Sequence, residues 1–269
     1  MVMRVGAIYR YPVKGLSAEK MERVALVPGE CLPYDRRFAI ALGSTVFDPH
    51  NPEWLPKTKF VMLMRDEKLA LLHTRFDAET GVLTIAENGR ELLRGRLTEP
   101  EGCRAVAEFC TNFLGPRVDG PLRVVEAPGH AFADARRKPN ATTGQYVSLI
   151  NLASIAALET AMDAAIDPLR FRANVYFDGE AAWREHDWIG AEIGLGAARL
   201  RVVSPITRCA ATQVNPATAA RDLEIPAALD RNFGHINMGI YAEVISSGEI
   251  AIGDALLVAP GNRDGATQR

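Results

Sequence analysis

Cys209 and the residues around it are the part of the sequence best suited to chemistry. The stretch 199–218 begins as a strand, because apolar residues alternate with arginines at the two-residue period of a half-buried ribbon. Ser204-Pro205 is predicted to end the hydrogen-bond ladder, since proline has no N–H to donate. Cys209 then follows on a connection, beside Arg208 and two alanines. A neighbouring cation and little steric bulk favour a thiolate.

A thiolate at this position can serve as a nucleophile, a redox group or a ligand for a soft metal. The alternative is a cysteine packed as a small hydrophobic side chain, and this stretch alone does not decide between the two. The other cysteines are Cys31, Cys103 and Cys110. No two of the four are separated by only two residues, which argues against a zinc or iron–sulfur pattern. The five histidines also lack the i, i+4 spacing of a helical metal pair.

Cationic side chains recur at the ends of predicted strands, and together they would form an anion site. A guanidinium meets a phosphate with two charge-assisted hydrogen bonds, so several such groups at one cleft would hold a phosphate-bearing ligand. Each residue alone is more often a surface charge, and the sequence does not show that they meet. The residues are Lys14, Arg36, Arg37, Arg170, Arg172 and Arg208.

The composition is that of an ordinary globular protein of one large domain or two modest ones. The 269 residues are 48% hydrophobic and 24% charged, with a net charge of −2, so nothing draws the chain toward nucleic acid or an anionic membrane. Apolar runs are too short for a signal peptide or a membrane span. We therefore expect a cytoplasmic protein with neither nucleic acid nor a membrane among its partners.

Short strands separated by turn residues dominate the pattern, which favours a barrel or curled sheet over a parallel α/β sheet. One helix is predicted from a Thr98–Glu101 capping box to Gly115. A second is predicted from an Asn151 N-cap to Asp167. The fold class is therefore mostly β with helices (α+β). Strands are predicted at 5–10, 21–27, 37–42, 59–64, 69–73, 82–85, 122–126, 174–177, 199–203, 241–245 and 249–258.

Six short pieces of the chain occur together in a fixed order. They are Tyr11-Pro-Val-Lys-Gly, Tyr34-Asp-Arg-Arg, Ser148-Leu-Ile-Asn-Leu-Ala-Ser, Phe171-Arg-Ala-Asn, Asp187-Trp-Ile-Gly and Thr207-Arg-Cys-Ala-Ala-Thr-Gln-Val-Asn-Pro. This combination resembles the MOSC proteins, named after the C-terminal domain of molybdenum cofactor sulfurase, and within them the amidoxime-reducing components and their bacterial relatives. The resemblance implies an N-terminal MOSC β-barrel module at 1–125 and a MOSC β-barrel domain at 126–262. A disordered tail is predicted at 263–269.

The resemblance implies a pterin-based molybdenum cofactor (molybdenum–molybdopterin) whose metal is ligated by Cys209, which is also the implied catalytic residue. The implied reaction is a two-electron reduction of N-hydroxylated or N-oxide-like small molecules. Electrons would come from separate proteins of the ferredoxin or flavin-reductase type. Pyridoxal phosphate binding is a further assignment that the family brings with it. The implied cofactor-binding residues are Lys14, Arg36, Ser148, Arg172, Asn174, Thr207, Arg208 and Cys209.

The sequence departs from the family pattern at three positions near these pieces. Gly15 stands where relatives usually have serine, Asn215 where they have aspartate, and Ala219 where they have glycine. Two other functions stay open. Cys209 could carry a persulfide for metal–sulfur or cofactor assembly, or the chain could bind and store the cofactor without turnover. Molybdenum content separates the oxidoreductase from the persulfide carrier, because the carrier needs no molybdenum.

Overall fold

The computed structural model describes residues 2–117 and 120–259, and strands make up most of its regular structure. The predicted α+β class is confirmed, while the predicted tail at 263–269 lies outside the described residues. Strands β1–β8 are Arg4–Arg10, Glu19–Met21, Arg23–Leu26, Phe38–Ala41, His73–Asp77, Val82–Glu87, Arg90–Arg96 and Arg123–Glu126. Strands β9–β15 are Val147–Asn151, Val175–Asp178, Glu192–Leu195, Ala198–Thr207, Asn237–Ser246, Gly248–Ala251 and Leu256–Val258. Helices α1–α3 are Pro100–Leu114, Leu152–Met162 and Ile225–Phe233.

One eight-stranded sheet organises the molecule, in the order β15-β11-β12-β13-β9-β10-β1-β2. Its largest apolar cluster includes Leu200 and Val202, the inward residues of the alternating pattern on β12. The sheet is antiparallel except at β9–β10, which is parallel because α2 lies between these strands as a crossover. Strands β1 and β2 belong to this sheet although they come from the start of the chain. The two halves of the chain therefore share one sheet.

Helices α2 and α3 pack together in a second apolar cluster, which contains Ile155 and Leu229. The predicted N-cap of α2 is confirmed, since Asn151 accepts a hydrogen bond from the backbone N–H of Ala153 at 3.1 Å. The helix ends at Met162, earlier than predicted, because Asp163 adopts a left-handed conformation. Along the part of the chain that is described, no helix is both long and apolar enough to cross a membrane.

The N-terminal half adds the three-stranded sheet β5-β6-β7, the pair β4–β8 and helix α1. Helix α1 packs against β7 over a third apolar cluster. The predicted capping box is wrong: Glu99 is the N-cap, without a side-chain cap bond, and Pro100 is the first helical residue. Proline is tolerated there because its missing N–H would have no helical partner anyway.

Two predicted strands, 59–64 and 69–73, are mostly turns. Short 3-10 helices occupy Lys57–Lys59 and Glu67–Leu71 instead, and Phe60 forms only an isolated bridge with Ala41. Several of their apolar side chains are nevertheless buried, as Leu69 is in the N-terminal cluster. The apolar residues thus indicated burial correctly. Over so few residues, however, their periodicity does not distinguish a strand from a buried turn.

Strand β12 continues through the predicted break at Ser204-Pro205 and ends at Thr207. Shifts in its register with β13 flank this dipeptide, so the ladder accommodates the proline through local irregularities. The strand therefore carries the backbone directly to Arg208 and Cys209.

Candidate functional site

All eight predicted cofactor-binding residues line a single cavity of about 350 Å³. The volume lies within the range of roughly 300–1,000 Å³ that is usual for ligand pockets. The structure thus brings together what the sequence only suggested, although the cofactor roles stay predictions. The cationic side chains on the cavity are Lys14, Arg36, Lys57, Arg170, Arg172 and Arg208, and the carboxylates are Asp35 and Asp134.

Cys209 lies just beyond β12 on extended backbone, with φ −126° and ψ 176°. Its carbonyl accepts hydrogen bonds from the N–H of Thr212 at 3.0 Å and the hydroxyl of Thr212 at 2.9 Å, which hold the turn that follows. The residue is half-buried and borders the cavity, whereas Cys110 is fully buried in the apolar cluster beneath α1. The location therefore favours a chemical role for Cys209 over simple packing.

Arg208 is committed to the backbone rather than to its neighbour Cys209. Its Nη1 donates to the carbonyl of Phe171 at 2.7 Å, while Nε and Nη2 both donate to the carbonyl of Met238. The guanidinium also lies 5.4 Å from the centre of the Phe171 ring. Burial lowers its pKa, although Tyr241, Tyr176 and Cys209 oppose that effect. Within residues 2–117 and 120–259, this guanidinium has no carboxylate partner.

Lys57 is a further cation at Cys209, and the sequence analysis did not single it out. Its pKa is raised: burial alone would lower it, but Cys209, Asp134 and Tyr241 favour the charged form. Its Nζ lies 3.8 Å from an Asp134 carboxylate oxygen. Lys57 therefore lies beside the Asp134 carboxylate and lines the same cavity as Cys209.

Asp134 also forms an ion pair with Lys14, whose Nζ donates to the carbonyl of Phe132 at 3.0 Å as well. Burial lowers the pKa of Lys14 in spite of this carboxylate. Burial would raise the pKa of Asp134, but the charges of Lys14, Lys57 and Arg36 outweigh it and hold that pKa low. Asp134 thus remains ionised and links two lysines of the N-terminal half.

Arg36 and Arg172 lie against the same ring, that of Tyr11, at 4.9 Å and 4.4 Å from its centre. Both residues have φ 52°, a left-handed conformation that is strained for a residue other than glycine. Arg36 forms an ion pair with Asp35 and donates to the carbonyl of Arg172 at 2.9 Å. The guanidinium of Arg172 makes no hydrogen bond or ion pair with any residue that the structure describes. Burial raises the pKa of Tyr11 to about 12, against the pull of Arg172 and Arg36.

Ser148 and Asn174 bond chiefly to each other. The amide oxygen of Asn174 accepts from the Ser148 hydroxyl at 2.7 Å and from its N–H at 3.1 Å, while the Asn174 amide donates to the carbonyl of Tyr9 at 3.2 Å. These bonds connect β9 and β1 to the residue that precedes β10. Both residues border the cavity, but most of their hydrogen-bonding capacity is used in holding the sheet together.

Arg170 is held in place by a carboxylate and a backbone carbonyl. Its side chain pairs with Asp222 at 2.6 Å and donates to the carbonyl of Gln213 at 2.9 Å. Asp222 also accepts from the amide of Asn215 at 2.7 Å. Asn215, one of the departures from the family pattern, therefore supports Arg170 through Asp222. Ala219, another departure, has φ 59°.

A buried carboxylate holds the loop that borders the cavity after β8. Glu243 on β13 is fully buried and accepts from the N–H groups of Thr142 at 2.9 Å and Thr143 at 2.8 Å. Burial opposes the charge, but these hydrogen bonds outweigh it and lower the pKa of Glu243. The same loop supplies Gln145 and Tyr146 to the cavity.

Sequence reasoning missed Lys57, Asp134 and Tyr241 among the lining residues. Tyr241 belonged to a predicted strand, and nothing in its alternation marked the side that meets a cavity. Lys57 lies in a short 3-10 helix and Asp134 on an irregular segment, and the two pair only across the fold. The six quoted pieces contain more cations than carboxylates. That excess was a signal that other segments supply the carboxylates that pair with them.

Family comparison connects this geometry to known proteins. The model of the MOSC N-terminal beta barrel domain matches residues 2–110, and that of the MOSC domain matches residues 130–257. The chain therefore belongs to the MOSC-domain proteins, a family linked to the molybdenum cofactor. Cavity residues come from both matched regions. The domain boundary at 125 stays a prediction.

Among curated proteins, the chain is similar to molybdenum cofactor sulfurase of Homo sapiens, at 22% identity over 275 residues, and of Bos taurus, at 22% over 274. Each match covers 87% of this chain and 29% of the relative, so the chain spans less than a third of these relatives. Among solved structures, YuaD of Bacillus subtilis has 14% identity and a TM-score of 0.45, with 96% of both chains covered. YiiM of Geobacillus stearothermophilus has 18% identity and a TM-score of 0.35, over 44% of this chain and 56% of that one.

Proposed function

We propose that this protein is an oxidoreductase that uses a pterin-based molybdenum cofactor to reduce N-hydroxylated or N-oxide-like small molecules, with Cys209 as the metal ligand. The observation that carries the proposal is the pair Arg172 and Arg208. Both guanidiniums border the cavity, and neither has a carboxylate partner in the part of the chain that is described. A desolvated charge is costly unless an opposite charge neutralises it. A phosphate-bearing ligand in the cavity would do so.

The remaining donors fit such a cofactor. Cys209 offers one soft sulfur ligand, which suits a metal that brings further sulfur ligands with it. Arg170 is 4% exposed and its Nε lacks a partner among the described residues, so a donor remains for a polar ring or phosphate oxygen. Lys14 is anchored to Asp134 and would orient the ligand from the opposite side.

The cofactor, when bound, supplies the two-electron redox chemistry, and the protein supplies binding, orientation and electrostatics. Arg172 and Arg208 would hold the anionic end and Cys209 the metal. Tyr241 borders the same cavity, and burial raises its pKa, so its phenol keeps its proton at neutral pH. It can therefore donate a hydrogen bond to a substrate oxygen. Electrons would come from a separate ferredoxin or flavin-reductase type protein, and a cytoplasmic location and pyridoxal phosphate binding stay predictions.

The second candidate function is sulfur transfer through a Cys209 persulfide. Its support is the similarity to two molybdenum cofactor sulfurases. Half-burial at the edge of a cavity would give a partner access to the sulfur while limiting its exposure to solvent. A storage module without turnover would share the cavity but show no reductase activity.

Replacing the sulfur of Cys209 tests the first proposal. Wild type, Cys209→Ser and the control Cys103→Ser are made in a host that synthesises the cofactor, because Cys103 is a half-buried cysteine outside the cavity. Molybdenum per chain and the fluorescence of released, oxidised pterin are then measured. We expect near-stoichiometric metal and pterin in wild type and in the control, and loss of most of the metal and of amidoxime reduction by a reduced dye in Cys209→Ser.

Wild type without metal or pterin, but with one added sulfur atom on Cys209 by mass spectrometry, would overturn the oxidoreductase in favour of the carrier. Full cofactor loading without reduction of any N-hydroxylated compound would favour storage. Wild-type metal content in Cys209→Ser would refute the ligand assignment.

A further inference from the structure

Lys57 reaches the cavity from a well-held backbone. Its carbonyl accepts from the N–H of Phe60 at 3.1 Å, and Phe60 is buried against Phe132 with ring centres 5.4 Å apart. The Lys57 side chain is 28% exposed and borders the same cavity as Cys209. The base of this side chain is thus fixed, while its ammonium remains accessible to a small molecule.

The ammonium of Lys57 makes only a long contact with Asp134 among the ion pairs of the described residues. Its contact with Asp134, at 3.8 Å, is an ion pair too long for a hydrogen bond. Lys14, by contrast, is held by both Asp134 and the carbonyl of Phe132. An ammonium has three N–H donors, so Lys57 retains donors for a ligand. Lys57 and Cys209 line the same cavity.

Arg208 is held more firmly than Lys57, although it precedes Cys209 in the chain. Three of its five N–H groups donate to the carbonyls of Phe171 and Met238, which hold the guanidinium against the backbone. Lys57, from the opposite half of the chain, borders the same cavity with an ammonium that donates to no backbone carbonyl of the described residues.

We propose that Lys57 is a positioning residue of the Cys209 site, whose ammonium draws negatively charged or oxygen-bearing groups to the sulfur. In the proposed reductase, that group is the oxygen-bearing end of the N-hydroxylated substrate, and this assignment rests on the proposed function. The attraction itself requires only Cys209, Lys57 and a shared cavity. It can therefore be measured without a cofactor.

Paired alkylating reagents isolate this charge. Iodoacetate and iodoacetamide both react with the Cys209 thiolate, forming a C–S bond and releasing iodide, but only iodoacetate is anionic. The ratio of their rates at one pH cancels the amount of thiolate and reports the local charge. Full-length protein from a host that cannot make the cofactor is used, and the Cys209 peptide is quantified by mass spectrometry.

We expect Lys57→Met to lower the iodoacetate-to-iodoacetamide ratio about fivefold, which corresponds to about 1 kcal/mol, the order of magnitude for two unit charges in close contact in water. Lys57→Arg should keep most of the ratio because it keeps the charge. The matched control is Lys59→Met, since Lys59 is exposed in the same 3-10 helix and does not border the cavity. Lys57→Gln repeats the test with a polar side chain should Lys57→Met fail to fold.

An unchanged ratio in Lys57→Met or Lys57→Gln would overturn the proposal, as would an equal fall in Lys59→Met. Molybdenum per chain, measured separately on protein from a competent host, keeps the two proposals apart. A normal ratio effect without molybdenum would refute the proposed reductase and leave Lys57 as the charge at Cys209. Normal molybdenum content with no change of the ratio in Lys57→Met would refute the role of Lys57 and leave the proposed reductase standing.

Discussion

The two walls of the cavity carry charges of the same sign but neutralise them differently. The N-terminal wall (Lys14, Arg36 and Lys57) has the carboxylates Asp35 and Asp134 against its cations. On the C-terminal wall (Arg172, Arg208 and Cys209), the guanidiniums meet backbone carbonyls or aromatic rings. The cations of the first wall therefore have carboxylate partners, three cations facing two carboxylates. Among the described residues Arg172 and Arg208 on the second wall have none, so that wall requires an anionic ligand to neutralise it.

The contrast is clearest between Arg36 and Arg172, because both guanidiniums lie against the Tyr11 ring and both residues have φ 52°. Burial disfavours both charges. Asp35 and Tyr11 outweigh it at Arg36 and raise its pKa, but at Arg172 burial prevails and lowers the pKa. Two arginines in matched positions thus differ mainly in whether a carboxylate accompanies them.

Replacing each arginine by methionine should change stability in different ways. Arg36→Met leaves the Asp35 carboxylate, which is 3% exposed, without its counter-ion, and we expect the free energy of unfolding to fall by about 3 kcal/mol. Arg172→Met removes a charge without a partner, so stability should be unchanged or slightly higher. Urea unfolding of the cofactor-free proteins measures both.

Cofactor affinity should also differ between the Arg36 and Arg172 variants. We expect Arg172→Met to weaken cofactor affinity by about tenfold or more, the size of one lost charge-assisted hydrogen bond. Arg208→Ala should also lower occupancy, but it removes structural bonds to Met238 as well. Equal losses of stability in Arg36→Met and Arg172→Met, with unchanged molybdenum per chain in the latter, would contradict the proposed contrast. The two walls would then not differ in whether carboxylates neutralise their cations.

Glu243 tests how rigidly the loop beside the C-terminal wall is held. Its pKa is lowered below the ordinary 4.5, so its bonds to Thr142 and Thr143 stabilise the protein above that pH and are lost as pH falls through the folded-state pKa. We expect Glu243→Gln to cost about 2 kcal/mol at pH 7, because a charged acceptor is lost. The variant should also lose less stability than wild type on acidification below the ordinary pKa.

The control for this measurement is Glu249→Gln, since Glu249 pairs with Arg23 on the exposed surface. Surface pairs of this kind contribute little, so its unfolding curve should follow that of wild type. If Glu243→Gln and Glu249→Gln showed the same acid dependence, the loop would not owe its anchoring to the buried carboxylate.

The smallest expected effect concerns Ala219, in the turn where its N–H donates to the carbonyl of Asn215 at 2.9 Å. Ala219 has φ 59°, in the left-handed region that glycine adopts without steric cost. Ala219→Gly should therefore raise the free energy of unfolding by about 0.5–1 kcal/mol without changing the Lys57 charge effect at Cys209. A destabilised Ala219→Gly protein would mean that the methyl group packs in a way that offsets the strain.

Local patterns predicted the fold best where burial and hydrogen bonding are set by near neighbours. The Asn151 cap, the alternation on β12 and the stop of α1 at Gly115 follow from residues within one turn or one strand. Prediction failed at 59–64, where apolar residues are buried in turns. It also failed at Ser204-Pro205, where pairing with β13 on both sides kept the strand intact.

The sequence by itself determined the kinds of group available and the family: one cysteine after a strand, an excess of cations, and six pieces in order. Which cation serves Cys209, and which cations remain unneutralised, only the tertiary structure decided. Lys57 and Asp134 meet the site across the fold, while the adjacent Arg208 turns to the carbonyls of Phe171 and Met238. The reason is physical, because electrostatic interactions depend on distance through space and on burial, and separation along the chain sets neither.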